Sequence, residues 1–359
     1  MEVSKARTEL RAAATPRRGE SVNEDGETQV TERLRWGVIS TANIGRAAVN
    51  PAIQASHNGV LDAVASRDSD RARAFAREHG IPRSHGSYEA LIEDPEIDAL
   101  YVPLPNSMHR DWVIHALRAG KHVLCEKPLA LGAADCMEMD AAATESGVKL
   151  MEAFMYRFHP RTERVIEMVR NGRVGDVGAV RSTFTFRLRS PDNIRLDPSL
   201  GGGALMDVGC YCVNVSRTMV GEEPHAVQAN ARWTDRGVDE VMVGILHFPS
   251  GAVAHFDCAL TMERCERYEV AGSDGYLEVD RAFLPGTDDV VIQDVHGRDR
   301  TSHAIGGEDE YRRMVEHFAD CALHDRPVRY PVTEAAANLR TIEALYRSSR
   351  RGGGIEPVG

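Results

Sequence analysis

A chain of 359 residues is too long for one small core and comfortable for two domains. Its formal charge of −11 offers no basic face for nucleic acid, and no run reaches the roughly 18 apolar residues of a membrane span. The 7 cysteines form an odd set without a Cys-x-x-Cys pair, which argues against a disulfide framework and for a reducing, cytoplasmic setting.

Residues 1–32 show no sustained period, so they read as a mobile tail with room for a short helix over Val3–Ala14. Ordered structure starts at Leu34. Trp36–Ser40 is a compact apolar strand of the kind buried on both faces, and a helical pattern follows over Ile44–Ala55. Strands over Val60–Ser66, Ala99–Leu104, His122–Cys125 and Lys149–Phe154 alternate with helices over Asp70–His79, Met108–Arg118 and Ala133–Thr144. That alternation predicts βαβ units, hence an α/β Rossmann domain with a doubly wound parallel sheet over residues 33–155. After Pro160 the period changes. One helix (Glu163–Asn171) leads into Val177–Val180, with Ser182, Phe184 and Phe186 alternating beyond it, and further strand-like runs follow at Ala226–Trp233, Val241–Phe248, Ala252–Leu260, Tyr268–Ala271, Tyr276–Val279 and Val290–Val295. These predict a mostly antiparallel, open-faced sheet in an α+β domain over 156–359, closed by helices near 308–324 and 333–349.

The first strand runs into Ser40-Thr41-Ala42-Asn43-Ile44-Gly45, which reads S-x-A-x-x-G against the dinucleotide fingerprint G-x-G-x-x-G. Small residues at all three glycine places let backbone amides approach a pyrophosphate at a helix N-terminus. Close packing alone also produces such turns; the place on the first strand of a βαβ series favours the dinucleotide. The second strand ends in Ser66-Arg67, where an acidic residue would take both ribose hydroxyls of NAD. A hydroxyl and a guanidinium suit a 2′-phosphate instead, so NADP is expected over NAD; the alternative puts Arg67 at the start of a solvated loop. The third strand delivers Pro103-Leu104-Pro105-Asn106, and then His109, to the sheet edge where ligands sit in such folds. His109 has capping or packing as its alternative.

The fourth strand ends in Glu126-Lys127-Pro128. With 4 lysines against 39 arginines, a lysine here is not a default surface cation. A positioned ammonium binds an alkoxide-like oxygen or lowers the pKa of a neighbouring acid; pairing with Glu126 would make it structural. The run Gly201-Gly202-Gly203 permits close backbone approach and opens a helix with Asp207 and Tyr211 four residues apart on one face. Asp207 suits orientation of a substrate hydroxyl, and Tyr211 the proton that accompanies hydride transfer. Cys210 and Cys212 read as packing residues, and no metal is expected.

At these residues the chain resembles the glucose-fructose oxidoreductase, inositol dehydrogenase and rhizopine-catabolism (Gfo/Idh/MocA) family from Leu34 to about Arg350. The resemblance is densest at Glu126-Lys127-Pro128, Met151–Pro160 and Gly201–Tyr211. It implies a Rossmann domain joined to an open-faced sheet domain, a homodimer or homotetramer built through that sheet, and hydride exchange between NAD(P) and a sugar or cyclic polyol. It casts Lys127 as the catalytic lysine. Tyr211 stands where inositol dehydrogenases carry histidine, which turns the reading toward glucose-fructose oxidoreductase, dimeric dihydrodiol dehydrogenase, NADP-dependent xylose dehydrogenase and sugar-nucleotide 3-ketoreductases. Asn193 and Arg195 become candidate substrate contacts, and Tyr156 and Arg157 border the nicotinamide or pack between domains. Two rivals stay open: a reductase of keto groups on nucleotide-linked sugars, and a non-catalytic NADP-binding regulatory protein. Lys127, Asp207 and Tyr211 together weigh against the second.

Overall fold

The computed structural model describes residues 17–22 and 28–359, with side chains from residue 32 onward; the helix considered over Val3–Ala14 lies outside the described residues. The first sheet contains β1 (Arg17–Val22), β2 (Thr28–Ile39), β3 (Gly59–Ala65), β4 (Arg83–His85), β5 (Ala99–Val102), β6 (His122–Glu126) and β7 (Leu150–Ala153). Its order is β4-β3-β2-β5-β6-β7, and every pair along that path is parallel. Helices α1 (Asn50–Ala55), α2 (Ser69–Glu78), α3 (Tyr88–Ile92), α4 (His109–Arg118) and α5 (Ala133–Ser146) make the crossovers. This is the doubly wound order, and it reverses direction between β2 and β5. The crevice at that switch point is where such sheets take ligands.

β1 departs from the expected tail. It pairs antiparallel with the first half of β2, Arg17 opposite Arg33 and Val22 opposite Thr28. The ladder joins main-chain N–H and C=O groups and needs no apolar alternation, so the periodicity of residues 1–32 gave no sign of it.

The second sheet runs β15-β14-β13-β12-β8-β11-β10-β9-β16. Its strands are β8 (Val177–Arg187), β9 (Ala226–Trp233), β10 (Asp239–His247), β11 (Val253–Ala259), β12 (Thr261–Gly272), β13 (Tyr276–Asp280), β14 (Val290–His296), β15 (Asp299–Ile305) and β16 (Glu356–Pro357). All its pairs are antiparallel except β8 with β11. One face is covered and the other open: Met242, Gly244 and Leu246 on β10 are buried, whereas Val243 between them is 51% exposed. Helices α6 (Pro160–Arg170), α7 (Cys210–Val220), α8 (Glu310–Leu323) and α9 (Val332–Arg350) complete the chain.

The last two helices lock the sheets together. α9 lies against both β9 and α5, burying Ala335, Leu339, Ile342 and Leu345 at helical spacing. Each such leucine or isoleucine contributes about 1.5–3 kcal/mol of burial. α8 returns to the first sheet, where Phe318 meets Trp36 of β2 at 5.4 Å between ring centroids. The carboxyl edge of the first sheet is thereby held against α7 and the covered face of the second.

Candidate active site

Two strand ends start the site. Ser40, just after β2, has φ of 91°, a conformation that costs a non-glycine residue about 1–3 kcal/mol and marks functional turns. Its Oγ donates to the Pro103 carbonyl at 3.4 Å and accepts from Ala42 N at 3.3 Å, tying the turn after β2 to the one after β5. The helix that follows carries a π-helical stretch, Gly45–Val49, before α1. The helix itself begins at Asn43; Ser40 Oγ takes the Ala42 amide, and no side chain accepts from the amides of Asn43, Ile44 or Gly45, which remain for an anionic ligand. A cavity of about 420 Å³ opens here, lined on this side by Ala42, Asn43, Ile44, Ala47, Pro103–Asn106, Glu126 and Lys127.

The glycine run shapes the opposite wall. A Cβ on Gly201 would lie 2.5 Å from Leu131 Cδ2 and 2.9 Å from Asn106 Cβ; without one, Asn106 Nδ2 donates to the Gly201 carbonyl at 2.8 Å. Gly203, at φ 134°, leaves room for Asp239. That buried carboxylate accepts from Leu205 N at 2.7 Å and from the Tyr346 hydroxyl at 2.9 Å. Burial pushes its pKa up to about 6. These contacts fix a second π-helical stretch, Leu205–Gly209, which runs into α7 and aims Asp207, Val208 and Tyr211 at the cavity.

At the centre, Lys127 Nζ donates to the Asp207 carbonyl at 2.6 Å, lies 3.5 Å from Asp207 Oδ1 and sits 4.9 Å from the centroid of the Tyr211 ring. Arg195 Nε donates to Asp207 Oδ2 at 2.5 Å. Burial alone would raise the Asp207 carboxyl, but Lys127 and Arg195 hold it below the usual carboxylate range. Burial works against the Lys127 ammonium, but the charges of Asp207, Cys210 and Glu126 together outweigh it, so Lys127 stays a fixed cation. Tyr211 is raised well above the ordinary tyrosine value by burial, so its hydroxyl is protonated at neutral pH. Its hydroxyl faces Met155 Sδ at 3.5 Å, and its ring meets Phe154, Phe184 and Phe283 at 4.8, 5.2 and 5.3 Å. Glu126 accepts from the Tyr101 hydroxyl at 2.6 Å, and desolvation of its half-buried carboxyl likewise raises it. The Lys127–Pro128 peptide is cis.

Of the residues singled out by sequence, Ala42, Asn43, Ile44, Pro103, Leu104, Asn106, Glu126, Lys127, Arg195, Asp207 and Tyr211 meet in this cavity. Ser40, Thr41 and Gly45 complete the turn behind it. Ser66 and Arg67 lie at the end of β3, away from the cavity wall: Ser66 Oγ accepts from Asp68 N at 3.3 Å, and Arg67 is exposed beside Tyr88. Four other expected contact residues do not line the cavity. His109 is fully buried, with its ring nitrogens 2.8 Å from the Leu104 carbonyl and 3.0 Å from that of Pro128. Tyr156 is 0% exposed and donates to Asn214 Oδ1 at 2.6 Å. Arg157 stacks 3.4 Å over the Tyr330 ring and bonds Glu334, so both pack in the interior. Asn193 Oδ1 accepts from Arg195 N at 3.1 Å and shapes the turn that carries Arg195.

The remaining wall comes from Met155, Phe184, Phe186, Ile194, Leu284, Arg264 and Tyr311. Phe184 and Phe186 were visible as alternating residues of one strand, without any sign that they face a ligand. Arg264 sits in a register shift between Thr261 and Cys265 of β12, the kind of bulge that re-aims a side chain and leaves no local sequence mark. Tyr311 arrives from α8, far along the chain.

Among the described residues no helix is long and apolar enough to cross a membrane, and no cluster of His, Cys, Asp or Glu could hold a metal ion. The seven cysteines are free. Residues 34–154 match the oxidoreductase family with an NAD-binding Rossmann fold, and residues 162–278 match the GFO/IDH/MocA C-terminal domain. The chain belongs to the GFO/IDH/MocA oxidoreductase family. It is 42% identical over 326 residues to D-xylose 1-dehydrogenase (NADP(+)) 2 of Haloferax volcanii, covering 90% of this chain and 99% of that one. A 3-ketoreductase from Actinomadura kijaniata, solved with NADP and TDP-benzene, superimposes with a TM-score of 0.85 at 30% identity, over 88% of this chain and 98% of the other. The aldose-aldose oxidoreductase of Caulobacter crescentus, solved with glycerol, gives 0.84 at 32% identity, over 91% and 100%.

Proposed function

We propose that this family member is an NADP(H)-dependent dehydrogenase or reductase of CH–OH groups that exchanges a hydride with a sugar or cyclic polyol. The observation that carries the reading is the meeting of Lys127, Asp207 and Tyr211 at one cavity beside the switch point of the parallel sheet. The cofactor fits what is there. The first-turn amides of the helix after Ser40 suit a diphosphate, and Pro103–Asn106 with Glu126 form a rim for the nicotinamide half. Bound nicotinamide supplies or accepts the hydride. Ser66 and Arg67, at the outer end of β3, are assigned to the 2′-phosphate that distinguishes NADP.

The chain's own residues handle the oxygen and its proton. In reduction, Tyr211 donates its hydroxyl proton to the substrate oxygen as that oxygen gains negative charge, and the fixed Lys127 ammonium stabilises the charge. In oxidation the proton returns along the same path. Asp207, held ionised by Lys127 and Arg195, accepts a neighbouring substrate hydroxyl and sets which carbon reacts. Arg195 pairs with Asp207, and Arg264 pairs with Glu266 at 2.7 Å, so these cations are already compensated. That supports a free, uncharged sugar over a nucleotide-linked one. In this reading residues 33–155 carry the cofactor and residues 156–359 the substrate. The open face of the second sheet joins subunits of a homodimer or homotetramer in the cytoplasm.

Turnover measured with NADP and NAD against a panel of free aldoses, polyols and nucleotide sugars tests the proposal. NADP-dependent oxidation of a free sugar is the expected result. Activity confined to nucleotide-linked ketosugars would select the rival reductase, and tight NADP binding without turnover would make the protein a sensor.

A further inference from the structure

Lys127 sits on a short connection after β6 whose geometry decides where its ammonium lies. Two buried polar side chains outside the cavity hold this connection. Glu152, on the neighbouring strand β7 and 8% exposed, accepts from Leu129 N at 2.8 Å. His109, at the start of α4, places one ring nitrogen 3.0 Å from the Pro128 carbonyl and the other 2.8 Å from the Leu104 carbonyl. Leu104 and Lys127 both line the cavity. Burial keeps the His109 ring neutral, so its single N–H donates to one of these carbonyls while the ring packs between the loop on the cofactor side and the loop bearing the lysine; Glu152 holds the next residue of the same segment from the other strand. Neither group has a role in proton or hydride transfer, yet both are polar groups placed in the interior, where an unpaired acceptor or donor costs about 1–3 kcal/mol. Their contacts reach the two residues that follow Lys127.

We propose that Glu152 and His109 are positioning residues for Lys127, gripping the chain at Pro128 and Leu129 so that the ammonium stays on Asp207 and over the Tyr211 ring. The inference rests on the catalytic reading of Lys127 given above. A misplacement of about 1 Å at a reacting group can cost on the order of 100-fold in rate without loss of binding, because orientation is lost while contacts survive. Loss of the grip thus lowers kcat and leaves cofactor affinity and substrate KM nearly untouched.

Glu152→Met removes the acceptor at similar size, whereas Glu152→Gln keeps an oxygen for Leu129 N. Steady-state kinetics of the full-length protein should show kcat down by about 10- to 100-fold for Glu152→Met, with KM and NADPH affinity within about twofold. Glu152→Gln should restore kcat to within about threefold of wild type. In a Lys127→Met background, Glu152→Met should change the residual rate no further, since it acts through the lysine. A folded Glu152→Met protein with wild-type kcat, an equal loss in the Gln and Met variants, or an additive loss in the Lys127→Met background would each overturn the proposal. Should Glu152→Met not fold, His109→Phe offers the same kcat-against-KM comparison, because phenylalanine keeps a ring between the two loops and removes the N–H donor. Amide exchange at Leu129 separates the two levels of the argument. Fast exchange in a folded Glu152→Met protein confirms the grip even if Lys127→Met retains activity, which would fail the catalytic reading alone. Unchanged protection at Leu129 refutes the grip itself.

Discussion

Replacing Tyr211 by phenylalanine isolates one hydroxyl. The ring contacts with Phe154 at 4.8 Å, Phe184 at 5.2 Å and Phe283 at 5.3 Å do not involve the oxygen, so packing is kept. The hydroxyl faces a thioether sulfur at 3.5 Å, a weak acceptor, and its removal should cost less than about 1 kcal/mol of stability. The chemical loss is larger. General acid–base catalysis contributes about 10²- to 10⁴-fold, equivalent to about 2.7–5.4 kcal/mol of transition-state stabilisation. Turnover, followed through reduced-nicotinamide absorbance, should fall by that factor, while NADPH affinity and melting temperature hold. A Tyr211→Phe enzyme with near-normal kcat on its true substrate would refute the assignment and leave the Lys127 ammonium as the proton carrier.

Other expectations follow from the same geometry. Lys127→Met should cripple turnover, and the Lys127→Met, Tyr211→Phe double variant should be no slower than the worse single variant; multiplicative losses would show independent roles. Arg67→Asp should shift the kcat/KM ratio from NADP toward NAD, and an unchanged ratio would leave Arg67 a solvated loop residue. Burial raises the Glu152 carboxyl to about 7, so the folded state binds that proton more tightly than the unfolded one. Its contribution to stability is full below the ordinary carboxylate range and is lost as pH rises through about 7. Melting temperatures of wild type should therefore fall relative to Glu152→Gln across that window, and parallel curves would contradict the shift. Gly203→Ala should destabilise by about 1–3 kcal/mol from its backbone conformation alone, with more from collision with Asp239, as read by denaturant unfolding.

The fold was legible where side-chain period carries it. The parallel sheet followed from Trp36–Ser40 and its successors, and the second sheet from alternation along Val177–Phe186. β1 was not legible, because main-chain pairing leaves no side-chain pattern. The mixed character of the second sheet rests on the β8–β11 pairing of residues more than seventy positions apart, which no local period encodes. In the site, the motif residues at strand ends and on the glycine-opened helix converge, since local turn chemistry fixes where they emerge. His109, Tyr156 and Arg157 were polar residues beside motifs whose partners, Pro128, Asn214 and Tyr330, are set only by tertiary packing. Arg264 and Tyr311 reach the cavity by a bulge and a distant helix, and local sequence had no means of placing them there.

A crystal structure of the protein with NADP and a slowly turned-over sugar tests the central claim most directly. The account predicts the nicotinamide against Pro103–Asn106, with the reacting sugar oxygen within about 3.2 Å of both the Tyr211 hydroxyl and Lys127 Nζ. A sugar bound elsewhere, or with its reacting oxygen facing neither group, would contradict it.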